Sequence, residues 1–366
     1  MKKIQVFNGS DNWFSEQIEG MNTEYVDFKL ISTKINEVEV LFNMVEKLEG
    51  EMFIIFGESF RLLSESGLTL IPIIIELLPD SFTDILIHNP PKDLRRLLSV
   101  SNRLSSVREY FDDYRNIPLE NIPIIKENYS KEIKGQDDAL VSLLASVYKT
   151  GEFEESKVKV VLLYGPPGVG KTESVKLLAR YGGVKLTRIQ MSMMQTMDGA
   201  DFIFGTDHSK VGLTQSLLLR DSNLILFDEF DKVNKYFYNA FYQMFDEALF
   251  EDKNYQVNLA GATIFLTTNF SSRRQIIENI GEPLFSRLFD IVEYKNLSVN
   301  DLEQLIDVSI DEEIKNISKE DRVFIDIDSV KNVFKGKDLQ FLSPRLLKNN
   351  IRSTLTKIII SKKFLN

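Results

Sequence analysis

The chain contains no cysteine and only two histidines, His88 and His208, in 366 residues. Disulfides, thiolate chemistry and Cys-ligated zinc are therefore excluded. The histidines lie far apart in sequence, so a His-rich metal site is not expected, and Ser-His-Asp hydrolysis would have to rest on one of them. Long hydrophobic runs are missing too. The longest, Leu68 to Leu78, is broken by Pro72 and Glu76 and is far short of the ~20 apolar residues of a membrane span. After Lys2 and Lys3 the only apolar stretch is Ile4 to Phe7, too short for an export signal, so the expected location is cytoplasmic with no membrane partner. An excess of positive charge is also lacking. Lys and Arg number 44 against 54 Asp and Glu, a net charge of −10. That balance argues against a non-specific nucleic-acid coat but leaves room for a local basic channel. Chemistry is left to carboxylates, hydroxyls, Lys, Arg and Asn.

What is present is enough for packed cores: 43% of residues are hydrophobic, and at ~150 residues per domain the length fits two or three domains. The acidity is concentrated at the start. Residues 1–120 hold 12 basic and 20 acidic side chains, whereas the remainder holds 32 and 34. This opening part alternates strand and helix signals. Lys2–Phe7, Tyr25–Ser32, Met52–Gly57 and Asp84–His88 are strand candidates, and Ile35, Val38, Leu41, Phe42, Val45 and Leu48 recur at helical spacing. A small α/β domain is expected, acidic and suited to a basic protein surface. Pro90-Pro91 then opens a long helix candidate over 92–114, and Ile117 to Pro123 reads as an extended linker.

Further on, the chain carries its strongest signals. Asp137–Lys149 has helical spacing, and Val158–Tyr164 is a continuous apolar run, the mark of a strand buried on both faces. Leu224–Phe227 and Ala262–Leu266 are similar runs, with helices between, which predicts a parallel sheet. Directly after the first run stands Gly165-Pro166-Pro167-Gly168-Val169-Gly170-Lys171-Thr172, which fits G-x-x-x-x-G-K-[ST]. Glycines let consecutive N–H groups turn toward phosphate oxygens, and the following helix brings its positive end to the same point. Lys171 is expected on the β- and γ-phosphates of ATP and Thr172 on Mg²⁺. The second run ends in Asp228-Glu229. Carboxylates at that end of a parallel strand face the phosphate loop, so Asp228 is expected in the Mg²⁺ shell and Glu229 as the base that activates water. The third run ends in Thr268-Asn269, where Asn269 could position the same water.

These motifs carry a resemblance. From Ile133 to the C-terminus the chain resembles an AAA+ ATPase, and within that group a Clp-type unfoldase or disaggregase module. Ile133 to Ala139 resembles the block beside the adenine pocket, Gly165–Thr172 the Walker A motif, and Leu226 to Lys232 the Clp Walker B pattern. Thr268-Asn269 resembles sensor 1, Phe285-Ser286-Arg287-Leu288 the arginine-finger block, and Ser343 to Lys348 the sensor 2 block. The fold implied is a P-loop NTPase parallel sheet with a C-terminal helical lid, preceded by a small α/β domain. The implied organisation is an N-terminal partner-binding domain over 1–89, a helix and linker over 90–129, an ATPase core over 130–296 and a lid over 297–366. The resemblance implies that Arg287 reaches a neighbour's γ-phosphate, hence a homo-oligomeric ring, most simply a hexamer. It implies that Arg345 contacts nucleotide in its own subunit. Arg273 and Arg274 are rivals for the finger role.

The sequence also departs from that pattern. The stretch matching the channel loop of Clp proteins is Gly205–Gly212, and its aromatic position holds Lys210. His208 and Lys210 repeated around a ring would give a polar, partly basic channel suited to an acidic peptide or a nucleic-acid backbone. Phe202 and Phe204 just before could still supply the aromatic paddle. No hydrophobic-Gly-Phe tripeptide of the kind that docks on a peptidase ring occurs in the loop-rich parts of the module. The aromatics at Phe237, Phe241 and Phe245 have core spacing. Three functions stay open: a protein-remodelling motor, an ATP-controlled assembly switch that threads nothing, and a nucleic-acid-directed protein.

Overall fold

The computed structural model describes residues 2–100, 107–148, 156–335 and 344–365. Two five-stranded sheets dominate it. The first holds β1 (Lys3–Asn8), β2 (Tyr25–Asp27), β3 (Met52–Ile55), β4 (Asp84–His88) and β5 (Val107–Phe111) in the order β2-β3-β4-β1-β5. All its pairings are parallel. The second is built from β6 (Lys159–Tyr164), β7 (Thr187–Gln190), β8 (Leu224–Asp228), β11 (Thr263–Thr267) and β12 (Asp290–Glu293), also parallel throughout, in the order β12-β6-β11-β8-β7. A separate antiparallel pair, β9 (Leu249–Glu251) and β10 (Gln256–Asn258), interrupts the sequence of the second sheet.

The strands are as apolar as they are because helices cover both faces. Every residue of β3, β6, β8 and β11 is buried. Each face of the second sheet has its own core. One gathers Leu162, Phe227, Phe230, Phe237, Phe241, Phe245 and Leu266, so the aromatics at helical spacing are core residues. The other gathers Tyr129, Leu143, Val161, Leu163, Leu178 and Phe265. Beyond β12, helices Val299–Asn316, Ile327–Lys335 and Pro344–Ile360 close on a small core of Leu302, Ile306, Ile310, Phe334, Leu347 and Ile351. Ser298 starts the first of these helices with a reciprocal cap to Asp301. Among the described residues no helix is long and apolar enough to cross a membrane.

Several expectations from the sequence fail for local reasons. The helix from 92 is described as far as Val100, and 107–111 is not helical but the edge strand β5, paired to β1. Its β-favouring Val107, Tyr110 and Phe111 join the sheet, which helical periodicity did not anticipate. The strand expected over 25–32 stops at Asp27, whose carboxylate accepts from the Lys29 N–H at 2.9 Å and turns the chain into helix Lys29–Ser32. The stretch read as linker contains the start of helix Ile122–Glu132, with Pro123 in its first turn, where a missing N–H costs nothing. The helix from Asp137 runs to Val147, and Lys149 lies outside the described residues.

The two sheets are tied together by specific contacts. Arg115 forms a parallel bridge with Ser222. Asn223 donates to the Tyr114 carbonyl at 3.2 Å, and Tyr114 donates to the Leu218 carbonyl at 2.8 Å. The buried Arg220 guanidinium lies 3.4 Å from the Tyr114 ring centroid. Burial pushes Arg220 down to about 10 and Tyr114 up to about 12. Farther along, Lys92 donates to the Asp252 carbonyl at 2.6 Å and pairs with Glu251.

Candidate nucleotide site

β6 delivers the chain to Gly165 at the carboxyl edge of the second sheet, and helix Lys171–Gly182 leads away from it. The six residues between form the loop. Gly165 sits at φ +136°, where a Cβ would fall 2.1 Å from the Tyr294 carbonyl oxygen, so only glycine fits. Gly170, the residue before the helix, is at φ +110°. The helix N-terminus thus opens toward the loop interior, the arrangement that favours an anion.

Lys171 is almost fully buried. Its ammonium donates to the Gly165 carbonyl at 2.7 Å, the Pro166 carbonyl at 2.6 Å and Asn269 Oδ1 at 3.3 Å. Burial pushes its pKa down to about 8, against the opposing pull of Asp231 and Asp228. Thr172 donates to Asp228 Oδ1 at 2.8 Å. Asp228 is the centre of the polar network. It also accepts from Thr267 at 2.5 Å and from Arg188 Nε at 3.0 Å. Burial alone would raise the Asp228 carboxyl, but the hydrogen bonds from Thr267, Thr172 and Arg188 and the Arg188 charge outweigh it and hold the pKa low.

Glu229 takes the left-handed conformation, φ +59°, uncommon for a side chain with a Cβ and costing on the order of 1–3 kcal/mol. Its N–H donates to Thr267 Oγ1 at 2.9 Å, and its carboxylate accepts from Gln190 Nε2 at 2.7 Å. Neighbouring strands therefore fix both carboxylates: β11 through Thr267, and β7 through Arg188 and Gln190. Sequence reading missed these three residues. Arg188 and Gln190 lie two apart on β7, and only the pairing of β7 with β8 turns them toward Asp228 and Glu229.

A cleft of about 810 Å³ opens above the loop. Ile133, Pro167, Gly168, Val169, Gly170, Lys171, Thr172, Asp228, Glu229, Asn269 and Arg345 all line it. Ile133 packs against the loop, its side chain 3.3 Å from where a Gly170 Cβ would stand. The lid reaches over Gly168, 3.6 Å from the would-be Cβ to the Arg345 backbone N. Gly165 and Pro166 are not among the residues that line the cleft, and their carbonyls hold the Lys171 ammonium. Ser343 lies outside the described residues. Arg287 is not among the residues lining the cleft. Its guanidinium binds Asp246 and the Pro283 carbonyl instead. Arg274 pairs with Glu278 on its own helix.

The residues present fit Mg-ATP. The loop turns through positive φ at Gly165, Gly168 and Gly170, Lys171 places a cation against it, and Thr172 with Asp228 supply hard oxygen ligands of the kind Mg²⁺ takes.

The polar channel expected from His208 and Lys210 does not survive intact. His208 is 4% exposed, and its ring bonds the Leu63 carbonyl at 2.8 Å, across from the first sheet. Lys210 remains exposed, 3.7 Å from Asp201. Phe202 packs against the core of the second sheet. Phe204 is half exposed and meets the Phe237 ring edge-on.

Residues 156–320 match the family model described as the AAA domain (Cdc48 subfamily). Over 220 residues the chain is 28% identical to the chaperone protein ClpB of Helicobacter hepaticus, covering 52% of this chain and 25% of that protein. It is 24% identical to ClpB of Mycoplasmoides gallisepticum over 94% of this chain and 54% of that protein. Against ClpB of Wolinella succinogenes it is 31% identical over 44% of this chain and 20% of that protein. The chain thus spans between a fifth and about half of the length of these relatives. With the phosphate loop, the paired carboxylates and the helical lid in place, the chain carries a Clp-type AAA+ ATPase module related to the ClpB chaperones.

Proposed function

We propose that the chain is a Mg²⁺-dependent ATP hydrolase that assembles into a homo-oligomeric ring, in its simplest form a hexamer, and uses the cycle to remodel a protein or complex. The observation that carries this reading is the gathering of Lys171, Thr172, Asp228, Glu229 and Asn269 around one cleft that Arg287 does not enter. When bound, ATP supplies the γ-phosphoryl group and Mg²⁺ offsets its charge. The chain's own residues do the rest. The loop from Gly165 to Gly170 and Lys171 bind the phosphates. Thr172 and Asp228 hold the metal. Glu229, oriented by Gln190, takes the proton of the attacking water, which Asn269 helps to position. Arg345 brings the lid onto nucleotide, and a neighbour's Arg287 completes the charge stabilisation. The acidic N-terminal part over 1–89 recruits a protein partner with a basic surface, 90–129 connects it to the core over 130–296, and 297–366 acts as the lid. The reading places the protein in the cytoplasm. The expected result for Glu229→Gln is retained ATP binding with turnover lowered ~10²–10⁴-fold. Wild-type turnover in that variant would remove Glu229 as the base.

The docking of His208 on Leu63 favours a second reading, in which ATP controls assembly and nothing is threaded. Loop 205–212 then serves as a joint between the two parts of the chain rather than as a channel grip. Unfolding of a tagged substrate that persists when Cys pairs at positions 63 and 208 are cross-linked would exclude this reading. Retained nucleotide-dependent assembly without unfolding would favour it. Salt-sensitive binding of DNA or RNA, lost in Lys210→Ala, would instead point to nucleic acid.

A further inference from the structure

Resting on the reading of Arg287 as a group that acts on a neighbour's nucleotide, we infer that Asp246 is the positioning residue of that arginine, with Pro283 and Tyr242 completing a rigid mount. Asp246 lies near the end of helix Ala240–Glu247. Phe241, Met244 and Phe245 bury the inner face of that helix in the sheet core, which fixes its rotation and leaves Asp246 on the outside. Arg287 follows the short helix Glu282–Phe285, which the N–H of Phe285 and that of Ser286 tie to the carbonyls of Gly281 and Glu282.

The guanidinium is held from three sides. Its Nε donates to Asp246 Oδ2 at 2.7 Å, and one terminal nitrogen stands 2.7 Å from the same oxygen. The other terminal nitrogen donates to the Pro283 carbonyl at 2.6 Å. The Tyr242 ring lies beneath, 5.1 Å from the guanidinium carbon. A guanidinium has five N–H donors in a rigid plane. The hydrogen bonds use the Nε–H and one N–H of one terminal nitrogen, and the other terminal nitrogen meets Asp246 as an ion pair. Each terminal nitrogen keeps at least one N–H outside these hydrogen bonds, and such donors suit phosphate oxygens. The side chain stays 28% exposed, so part of it is within reach of a second copy of the chain. A flexible arginine loses rotamer freedom when it engages, whereas this one is oriented beforehand. A carboxylate that merely sequestered Arg287 would need to cover both terminal nitrogens, and Asp246 meets only one.

The mount predicts that Asp246 acts through Arg287 and in trans. In Asp246→Ala, kcat for ATP should fall about tenfold at saturating nucleotide while ADP affinity is unchanged, with Asp246→Glu restoring part of the rate. Asp246→Asn, which keeps the volume, repeats the test should the alanine variant fold poorly. Arg287→Ala is the reference and should lose more. Chains carrying Lys171→Ala, with an intact Arg287, should restore turnover when mixed with Arg287→Ala chains. Adding Asp246→Ala to the Lys171→Ala chain should remove most of that rescue, an effect a merely structural carboxylate would not produce. Wild-type kcat in both Asp246→Ala and Asp246→Asn beside a slow Arg287→Ala would overturn the role of Asp246. Wild-type turnover in Arg287→Ala would overturn the underlying reading of Arg287, and this inference with it.

Discussion

The two sheets have the same strand order, yet among the described residues only the second carries a phosphate-loop motif at its carboxyl edge. Numbered in chain order, and with the β9–β10 pair set aside, both read 5-1-4-3-2 and both are wholly parallel. In such sheets ligands bind at the carboxyl edge beside the central strand. The second sheet uses that place for its phosphate loop. In the first sheet the corresponding turn is much shorter. Between β1 and helix Asp11–Met21 stand only Gly9 and Ser10, against the six residues 165–170. There is no length to form a cradle and no lysine to stand in for Lys171. The chain's own side chains fill the crevice instead. Asp112, just past β5, accepts from the Ser10 N–H at 3.2 Å and hydroxyl at 2.8 Å, so a carboxylate occupies the start of the helix. Asn89, just past β4, exchanges hydrogen bonds with Gly9, donating at 2.8 Å and accepting at 2.9 Å. His88 also meets the Gly9 carbonyl at 3.0 Å and stacks on Phe14. Burial pushes the His88 pKa down. The difference teaches that strand order provides a place for a ligand, while loop length and a few side chains decide whether anything enters it.

The comparison can be broken most severely by Lys171→Ala. One nucleotide should bind per chain in the wild type. Loss of the charged donor should weaken binding about 10²-fold or more. A tight nucleotide still seen by calorimetry in this variant would mean that the first crevice is a site too. A smaller effect is expected from pH. The buried Lys171, lowered to about 8 before ligand arrives, is charged below that pH and neutral above it. Nucleotide binding above pH 8 must then take up a proton. Affinity should be level up to about pH 7.5 and then fall toward tenfold per pH unit. An unchanged affinity to pH 9.5 would show that Lys171 does not carry the charge. The smallest effect belongs to the closed crevice. Asn89→Ala leaves the Gly9 N–H and carbonyl without that partner and should cost about 1–3 kcal/mol in thermal or denaturant unfolding, with nucleotide affinity untouched. A change in nucleotide affinity would instead couple the two sheets.

Much of the second sheet was legible because its signals are local. A strand buried on both faces must be continuously apolar, and Gly165 to Thr172 announces its loop by residue type and spacing. Asp228, Glu229 and Asn269 were legible once that loop located the sheet edge. Arg188, Gln190 and Thr267 were not, because their role lies across strands that pair only in the fold. The first sheet was less legible. β5 was hidden behind a run that fits a helix to Val100, and only its pairing with β1 reveals it. His208 shows the limit most plainly. Its sequence position fits an exposed loop, and a carbonyl 145 positions away buries it.

By itself the sequence determined which chemistry was possible. With no cysteine and two isolated histidines, only Lys, Thr, Asp, Glu, Asn and Arg remained, and the phosphate loop drew them to nucleotide. Tertiary structure alone decided the rest: that two sheets share one strand order, that one crevice is plugged by Asp112 and Asn89, and that Arg287 stands outside its own cleft on the Asp246 mount. The physical reason is range. Backbone conformation and burial period are written within a few neighbouring residues, whereas a site is made by side chains that only strand pairing and helix packing bring together.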